Sequence, residues 1–376
     1  MASLNKACIL IILNDPVSYW CDYVYQTVKY LSEKNSVIVF CSENVITWRD
    51  LFSQKKHTPL FEKKWKALLF HPFFIIPGQR FPMIKMLNYQ INAFCLHWYI
   101  FLIQPRIKKI FWFFDPLYIV AIKKFFTRYI SVYDCVDYYA EISKALQMNN
   151  RLLLAKSTYV FANSYALVHK LRPYRATITL VPLGFAQDLF RKKRKSLPRD
   201  TAIIAGFVGG ITRRIDYALL TSVVKLFPDI HFVFYGECRS DVKMSNGTLS
   251  PDVKKFFMLK NVFWKGPVLK KDVPSVISSF DICLIPYTKD AFNTYCFPMK
   301  VMEYFYMGKP ILSSPIKELQ RFPKHVYIGA TVEEWEYHIW RILSKPWLAD
   351  FQTEQRKIAE QNSWQRKLSQ LTAFIQ

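Results

Sequence analysis

Short runs that are apolar on both faces recur along this chain, and helix-length amphipathic segments separate them. Runs at 7–13, 36–41, 109–114, 129–133, 158–162 and 179–181 mark the first half, and runs at 203–208, 231–235, 262–264, 282–285 and 311–313 mark the second. A strand that is hydrophobic on both faces must be covered on both faces, which is the position of a parallel strand between helical layers. The alternation therefore predicts an α/β fold of two Rossmann-like domains. The stretch 191–199, with five consecutive basic residues from Arg191 to Lys195 and then Ser196 and Pro198, reads as the linker between them. Two such sheets facing a cleft would both bring their strand C-termini to the gap, where open α/β sheets bind ligands.

Composition narrows the class. A hydrophobic content of 51% over 376 residues is globular and can fill two cores. The eight cysteines have no CxxC spacing and most lie in apolar runs, so they read as reduced, packed thiols of a cytoplasmic protein. The longest apolar stretch, 91–103, contains Asn92 and His97 and is too short and polar to span a bilayer; His97 reads as a core histidine. The net charge of +24 is uneven: residues 1–200 carry 29 Lys+Arg against 12 Asp+Glu, while 201–376 carry 23 against 16. Such a field favours an anionic partner: nucleic acid, an anionic membrane surface or a phosphorylated substrate.

Three segments carry candidate chemistry. In GFVGGITRRID, 206–216, a strand runs into Gly209 and Gly210 and then Arg213 and Arg214 ahead of a helical pattern. Paired glycines allow close backbone approach to an anion, and arginines clamp phosphate oxygens bidentately; an ordinary strand–turn–helix with exposed arginines is the alternative. In PMKVMEYFYMGKP, 298–310, Pro298 suits a helix first turn and Gly308 its C′ position, which puts Lys300 and Glu303 on one face. A simple surface ion pair is the alternative there, although unpaired charges in so apolar a run are costly. In SVYDCVDYY, 131–139, Asp134 and Asp137 are expected just after a strand, on a loop or as caps of the next helix.

Taken in order, these segments resemble GT-B glycosyltransferases, in particular the retaining family four and the inverting glucuronosyltransferase of xanthan assembly. The resemblance covers nearly all of 200–376. It includes 206–216 as the phosphate loop, 261–287 as the stretch running to the donor-site strand, 298–314 as the donor helix, and Asn362-Ser363-Trp364 with the helix after it as the segment that crosses back to the first domain. It implies an acceptor domain over 1–190, completed by 362–376, and a nucleotide-sugar domain over 200–361. It also implies a metal-independent transferase that moves a sugar from a nucleoside diphosphate sugar to a glycan or lipid-linked acceptor in surface polysaccharide synthesis.

By the same resemblance, Glu303 would hold the donor ribose, and Lys300 with Arg213 and Arg214 the diphosphate. Asp137 would be the general base of an inverting transfer, with Asp134 and Asp115 on the acceptor side. Where the retaining family has a sugar-contacting glutamate, this chain has Tyr295, which leaves the stereochemistry and the sugar open. No cofactor or metal is expected: the seven histidines lack ligand spacing and no Asp-x-Asp occurs.

The resemblance also implies a place at the inner face of the plasma membrane, where bacterial relatives often act on lipid-linked acceptors. The basic first half, with Trp65, Phe70, Phe73, Phe74, Trp98 and Tyr99, would seat the protein there peripherally. The competing readings are a basic nucleic-acid-binding protein, for which no recognised motif is present, and a GT-B scaffold without catalysis.

Overall fold

The computed structural model describes residues 4, 6–13, 22–42, 44–52, 59–78, 80–114, 116, 123–139, 143–191 and 202–375. The chain divides into two units. One comprises Met1–Leu183 with Gln365–Gln376, and the other Gly184–Trp364.

The strands of the first unit are β1 (Ala7–Leu13), β2 (Ser36–Cys41), β3 (Ile46–Thr47), β4 (Phe61–Lys64), β5 (Ala67–Phe70), β6 (Phe73–Phe74), β7 (Lys108–Phe113), β8 (Ile130–Cys135), β9 (Tyr159–Ala162) and β10 (Thr179–Leu180). Eight of them form one sheet in the order β10-β9-β8-β7-β1-β2-β5-β4, in which all neighbours are parallel except β4 and β5. All seven residues of β1 are buried, as its unbroken apolar sequence requires at the centre of a covered sheet. The chain winds from β1 to β2 on one side and returns to β7 on the other, so the switch point falls between β1 and β7.

The long helix Pro82–Ile103 docks by polar means. Asn92 accepts the Phe73 N–H at 2.8 Å and donates to the Phe73 carbonyl at 2.8 Å, while Asn88 does the same for Ile76 at 3.0 and 2.9 Å. Two carboxamides thus finish the backbone hydrogen bonding of an edge that no strand covers. His97 is half-buried, with its ring against Phe126 and Tyr129.

The second unit holds β11 (Ile203–Val208), β12 (Ile230–Tyr235), β13 (Val262–Trp264), β14 (Ile282–Ile285), β15 (Ile311–Ser313) and β16 (Val326–Ile328). They form an all-parallel sheet in the order β13-β12-β11-β14-β15-β16. Its switch point lies between β11 and β14. Gly206, inside β11, faces the Phe280 ring so closely that a Cβ would lie 2.3 Å from it.

Several sequence expectations are amended. The strand expected over 129–133 runs to Cys135 and takes in Asp134, which is therefore a fully buried strand residue instead of a loop residue. Such a carboxylate needs a counter-charge, and Lys367 from the helix Trp364–Phe374 supplies it at 3.7 Å. The stretch 184–190 and residues 362–364 lie with the second unit, not the first. Phe185 donates to the Asn362 carbonyl at 3.1 Å and accepts from the Trp364 N–H at 3.3 Å, and Phe185 and Phe190 pack on Tyr306.

Phe70 and Phe74 are buried, which removes them from any membrane-facing set. Trp65 sits in the two-residue turn of the β4–β5 hairpin, with its ring against Tyr25. Of the linker expected over 191–199, Arg191 ends the helix Gln187–Arg191, and 192–199, like Asp115, lie outside the described residues.

Candidate functional site

The site is assembled at the switch point of the second sheet. As β11 ends, the Val208 N–H is taken by the Tyr304 hydroxyl at 3.2 Å. Gly209 then turns with φ +152. A Cβ there would stand 2.9 Å from Lys300 Nζ, so the glycine makes room for the ammonium group. The turn passes across Gly236, whose own Cβ would lie 1.8 Å from the Gly209 carbonyl oxygen. Only glycine is tolerated at either position. Backbone bonds from Gly209 to Tyr235 and from Ile211 to Glu237, both 2.9 Å, extend the β11–β12 pairing into the loop.

On the other side, the loop is joined to the chain leaving β14. Asp216 N–H donates to the Pro286 carbonyl and Thr288 N–H to the Arg214 carbonyl, each at 2.8 Å. This brings Tyr287 into the centre of the site. The Arg214 guanidinium lies 4.6 Å from its ring and 4.8 Å from that of Phe292, with Nε donating to Asn293 Oδ1 at 2.8 Å. Lys300 Nζ lies 4.8 Å from the same Tyr287 ring and 4.2 Å from that of Phe207, and donates to the Tyr287 hydroxyl. Two cations therefore share one aromatic ring, each attracted by its π quadrupole, and their mutual repulsion is relieved by an anion placed beside them.

Lys300 opens the helix Lys300–Tyr306, with Gly308 just past its end at φ +64. Gly308 takes the expected position past the helix end, whereas Pro298 stands just before the N-cap Met299 and not in the first turn; Glu303 lies one turn along from Lys300, half-buried. Among the described residues Lys300 has aromatic and hydroxyl partners and no carboxylate partner, so its charge is available to an anion.

The two adjacent arginines part company. Arg213 pairs with Asp252 at 2.6 Å, with its Nε on the Asp241 carbonyl at 3.1 Å and its N–H on the Asp241 carboxylate at 2.9 Å. Asp252 is slightly desolvated, but hydrogen bonds from Ser250 and Val253 and the charge of Arg213 outweigh this and hold its carboxyl below the ordinary range. Arg214 alone joins Lys300. Gly210 follows Gly209, and its Cβ direction meets Arg239 at 3.6 Å, which adds a third cation to the loop. Tyr295 closes the helix Ala291–Tyr295, and the Lys317 ammonium lies 4.8 Å from its ring.

Gly236, Tyr287, Arg239 and Asn293 were not singled out by sequence. A signal existed for one of them: a glycine directly after the apolar run 231–235 repeats the pattern of Gly209 after 203–208.

In the first unit, Asp137 stands two residues past the end of β8, half-buried, and its carbonyl accepts the Cys135 thiol at 3.3 Å. Asp134, three residues earlier, is withdrawn into the interior. Burial pushes its carboxyl up and the Lys367 ammonium down, each opposed by the other's charge. Among the described residues, no group of three or more His, Cys, Asp or Glu is placed to hold a metal ion.

This sheet, with a glycine turn after its first strand and a helix that opens on Lys300 beside it, compares directly with known proteins. Residues 202–344 match the family model Glycosyl transferases group 1. The group 1 segment contains every residue of the site around β11 and β14, and neither Asp134 nor Asp137. A curated relative, the putative teichuronic acid biosynthesis glycosyltransferase TuaH of Bacillus subtilis (strain 168), is 28% identical over 164 residues. That alignment spans 42% of this chain and 40% of the relative.

Among solved structures, sucrose-phosphate synthase from Thermosynechococcus elongatus superposes with a TM-score of 0.74 at 14% identity, over 98% of both chains. Anabaena Alr3699/HepE, solved in complex with UDP and glucose, gives 0.72 at 13% identity over 98% of this chain and 99% of its own. A glycosyltransferase from Rickettsia africae gives 0.71 at 15%, over 99% and 98%. These are GT-B glycosyltransferases, and the chain has the GT-B fold.

Proposed function

We propose that this chain is a glycosyltransferase that moves a sugar from a nucleoside diphosphate sugar to a glycan or lipid-linked acceptor in surface polysaccharide synthesis, without a metal ion. The observation that carries the reading is Lys300: a half-buried ammonium seated on the Gly209 turn with no anionic partner among the described residues, and with Arg214 on the same tyrosine ring. Such a pair suits a diphosphate leaving group, whose charge grows as the sugar–phosphate bond breaks. The group 1 match, the teichuronic acid relative and the UDP complex of HepE support the same donor class.

In this reading Lys300, Arg214 and the backbone at 209–211 hold the diphosphate, with Arg213 fixing the loop through Asp252 and Asp241. Glu303 takes the ribose hydroxyls, and Tyr295 stands toward the sugar. Asp137 removes the proton of the acceptor hydroxyl as it attacks C1. The work is done in the cytoplasm, with the protein held peripherally at the inner face of the plasma membrane.

Thermal shift with UDP, GDP, ADP and their sugars tests the donor class, because a ligand that binds only the native state raises its stability. A stabilising nucleotide sugar whose effect survives EDTA is the expected outcome. No shift with any of them overturns the assignment. Asp137→Asn should abolish turnover while leaving the donor-induced shift intact.

A further inference from the structure

The helix Pro82–Ile103 leaves one long apolar face uncovered. Met83, Leu87, Phe94, Trp98, Phe101 and Leu102 are 85, 46, 49, 47, 47 and 72% exposed, at spacings that put them on one side of the helix. The opposite side, with Asn88, Tyr89, Asn92, Ala93, Leu96 and Ile100, is the one that packs on the sheet. Contiguous exposed apolar surface of this extent marks a docking face.

Its surroundings say for what. Residues 63–114 contain eight Lys and Arg and no Asp or Glu. Arg80 precedes the helix and Arg106 follows it, both exposed. Lys124 is tied to the helix through Gln90 at 2.9 Å, and Phe125 beside it touches Phe94. An apolar stripe with basic groups at both ends and along one flank complements an anionic lipid surface. The stripe enters the acyl boundary while the cations meet the headgroups. Among the described residues no helix is long and apolar enough to cross a membrane.

We infer that Pro82–Ile103 is an in-plane membrane anchor that lays this face into an anionic bilayer. The inference deepens the peripheral seating proposed above by naming the element that inserts, and it does not depend on the transfer chemistry.

The test uses the full chain and vesicles of phosphatidylglycerol and phosphatidylcholine, compared with phosphatidylcholine alone. The wild type should co-sediment with the anionic vesicles. Met83→Ser/Phe94→Ser/Leu102→Ser should lose at least tenfold in vesicle affinity while keeping its melting temperature and donor-induced thermal shift. A polarity-sensitive fluorophore on Cys95, which is exposed on this helix, in a Cys21→Ser background should shift to the blue on vesicle addition.

Binding that is abolished by salt but unchanged in the triple variant, with no blue shift, would keep the charged seating and overturn the anchor. Failure of the wild type to bind any vesicle would overturn both. A wild-type dimer that the triple variant makes monomeric, with vesicle binding unaltered, would assign the face to a second copy and likewise overturn the anchor.

Discussion

Lys300 is held by rings and a hydroxyl instead of by a carboxylate, and this decides how its loss should read. Lys300→Ala removes a charge that matters most when the leaving group becomes anionic, so kcat/KM should fall by about 10²–10³. Initial-rate kinetics at varied donor concentration measures this. Glu303→Ala removes contacts to the donor ribose and should raise donor KM by about tenfold or more, as expected for charge-assisted hydrogen bonds; unchanged donor kinetics would remove Glu303 from the site.

Asp134 and Lys367 present the opposite case, a pair 0 and 3% exposed. Lys367→Met strands a carboxylate in the core and should cost about 3–5 kcal/mol in denaturant unfolding, whereas Asp134→Leu/Lys367→Met should recover most of that. At this scale the sequence displayed Lys300 and Glu303 clearly, because charges inside an apolar helix need a reason. It did not separate Arg213 from Arg214. Neighbours in sequence point to different partners, and only the fold places Asp252 beside one and Tyr287 beside the other.

Elements were legible where burial is two-sided. The central strands of both sheets fall within a residue or two of their apolar runs, since a strand covered on both faces has no polar positions to blur it. The hairpin β4–β5 was hidden for a specific reason. Its two-residue turn is Trp65-Lys66, with φ of 50° and 63° where Asn-Gly is usual. Trp65 is kept there by Tyr25 and by the Ser32 hydroxyl, which donates to the Trp65 carbonyl at 2.9 Å. Lys66 has no comparable tie among the described residues. Lys66→Gly should therefore stabilise the protein by up to about 1 kcal/mol, as relief of left-handed backbone outweighs the extra freedom of the unfolded chain; chemical denaturation reads the change. Strand β16, only Val326–Ile328 long, lacked the length to stand out from a loop, and the apolar run 91–103 showed only the second half of the helix Pro82–Ile103.

Across the whole molecule, four histidines share one electrostatic fate. Burial lowers the proton affinity of His71, His97, His325 and His338, with Glu62 and Glu354 only partly compensating at the first and third. The native state therefore binds fewer protons than the unfolded chain just below the ordinary histidine value of 6.5. Their contribution to stability is complete above that pH and is lost as the pH falls through the depressed values. Melting temperature should be flat from pH 8 to 7 and drop between about pH 6.5 and 5.

The first unit also borrows its last helix from the far end of the chain. Leu368, Leu371 and Ile375 are wholly buried within it, and Lys108 Nζ donates to the Ile375 carbonyl at 2.7 Å. On the ribosome, then, the first unit stays unfinished until residues 365–376, which follow the second unit, have been translated. A nascent chain halted near residue 360 would carry an open seam along β8, ready for a chaperone.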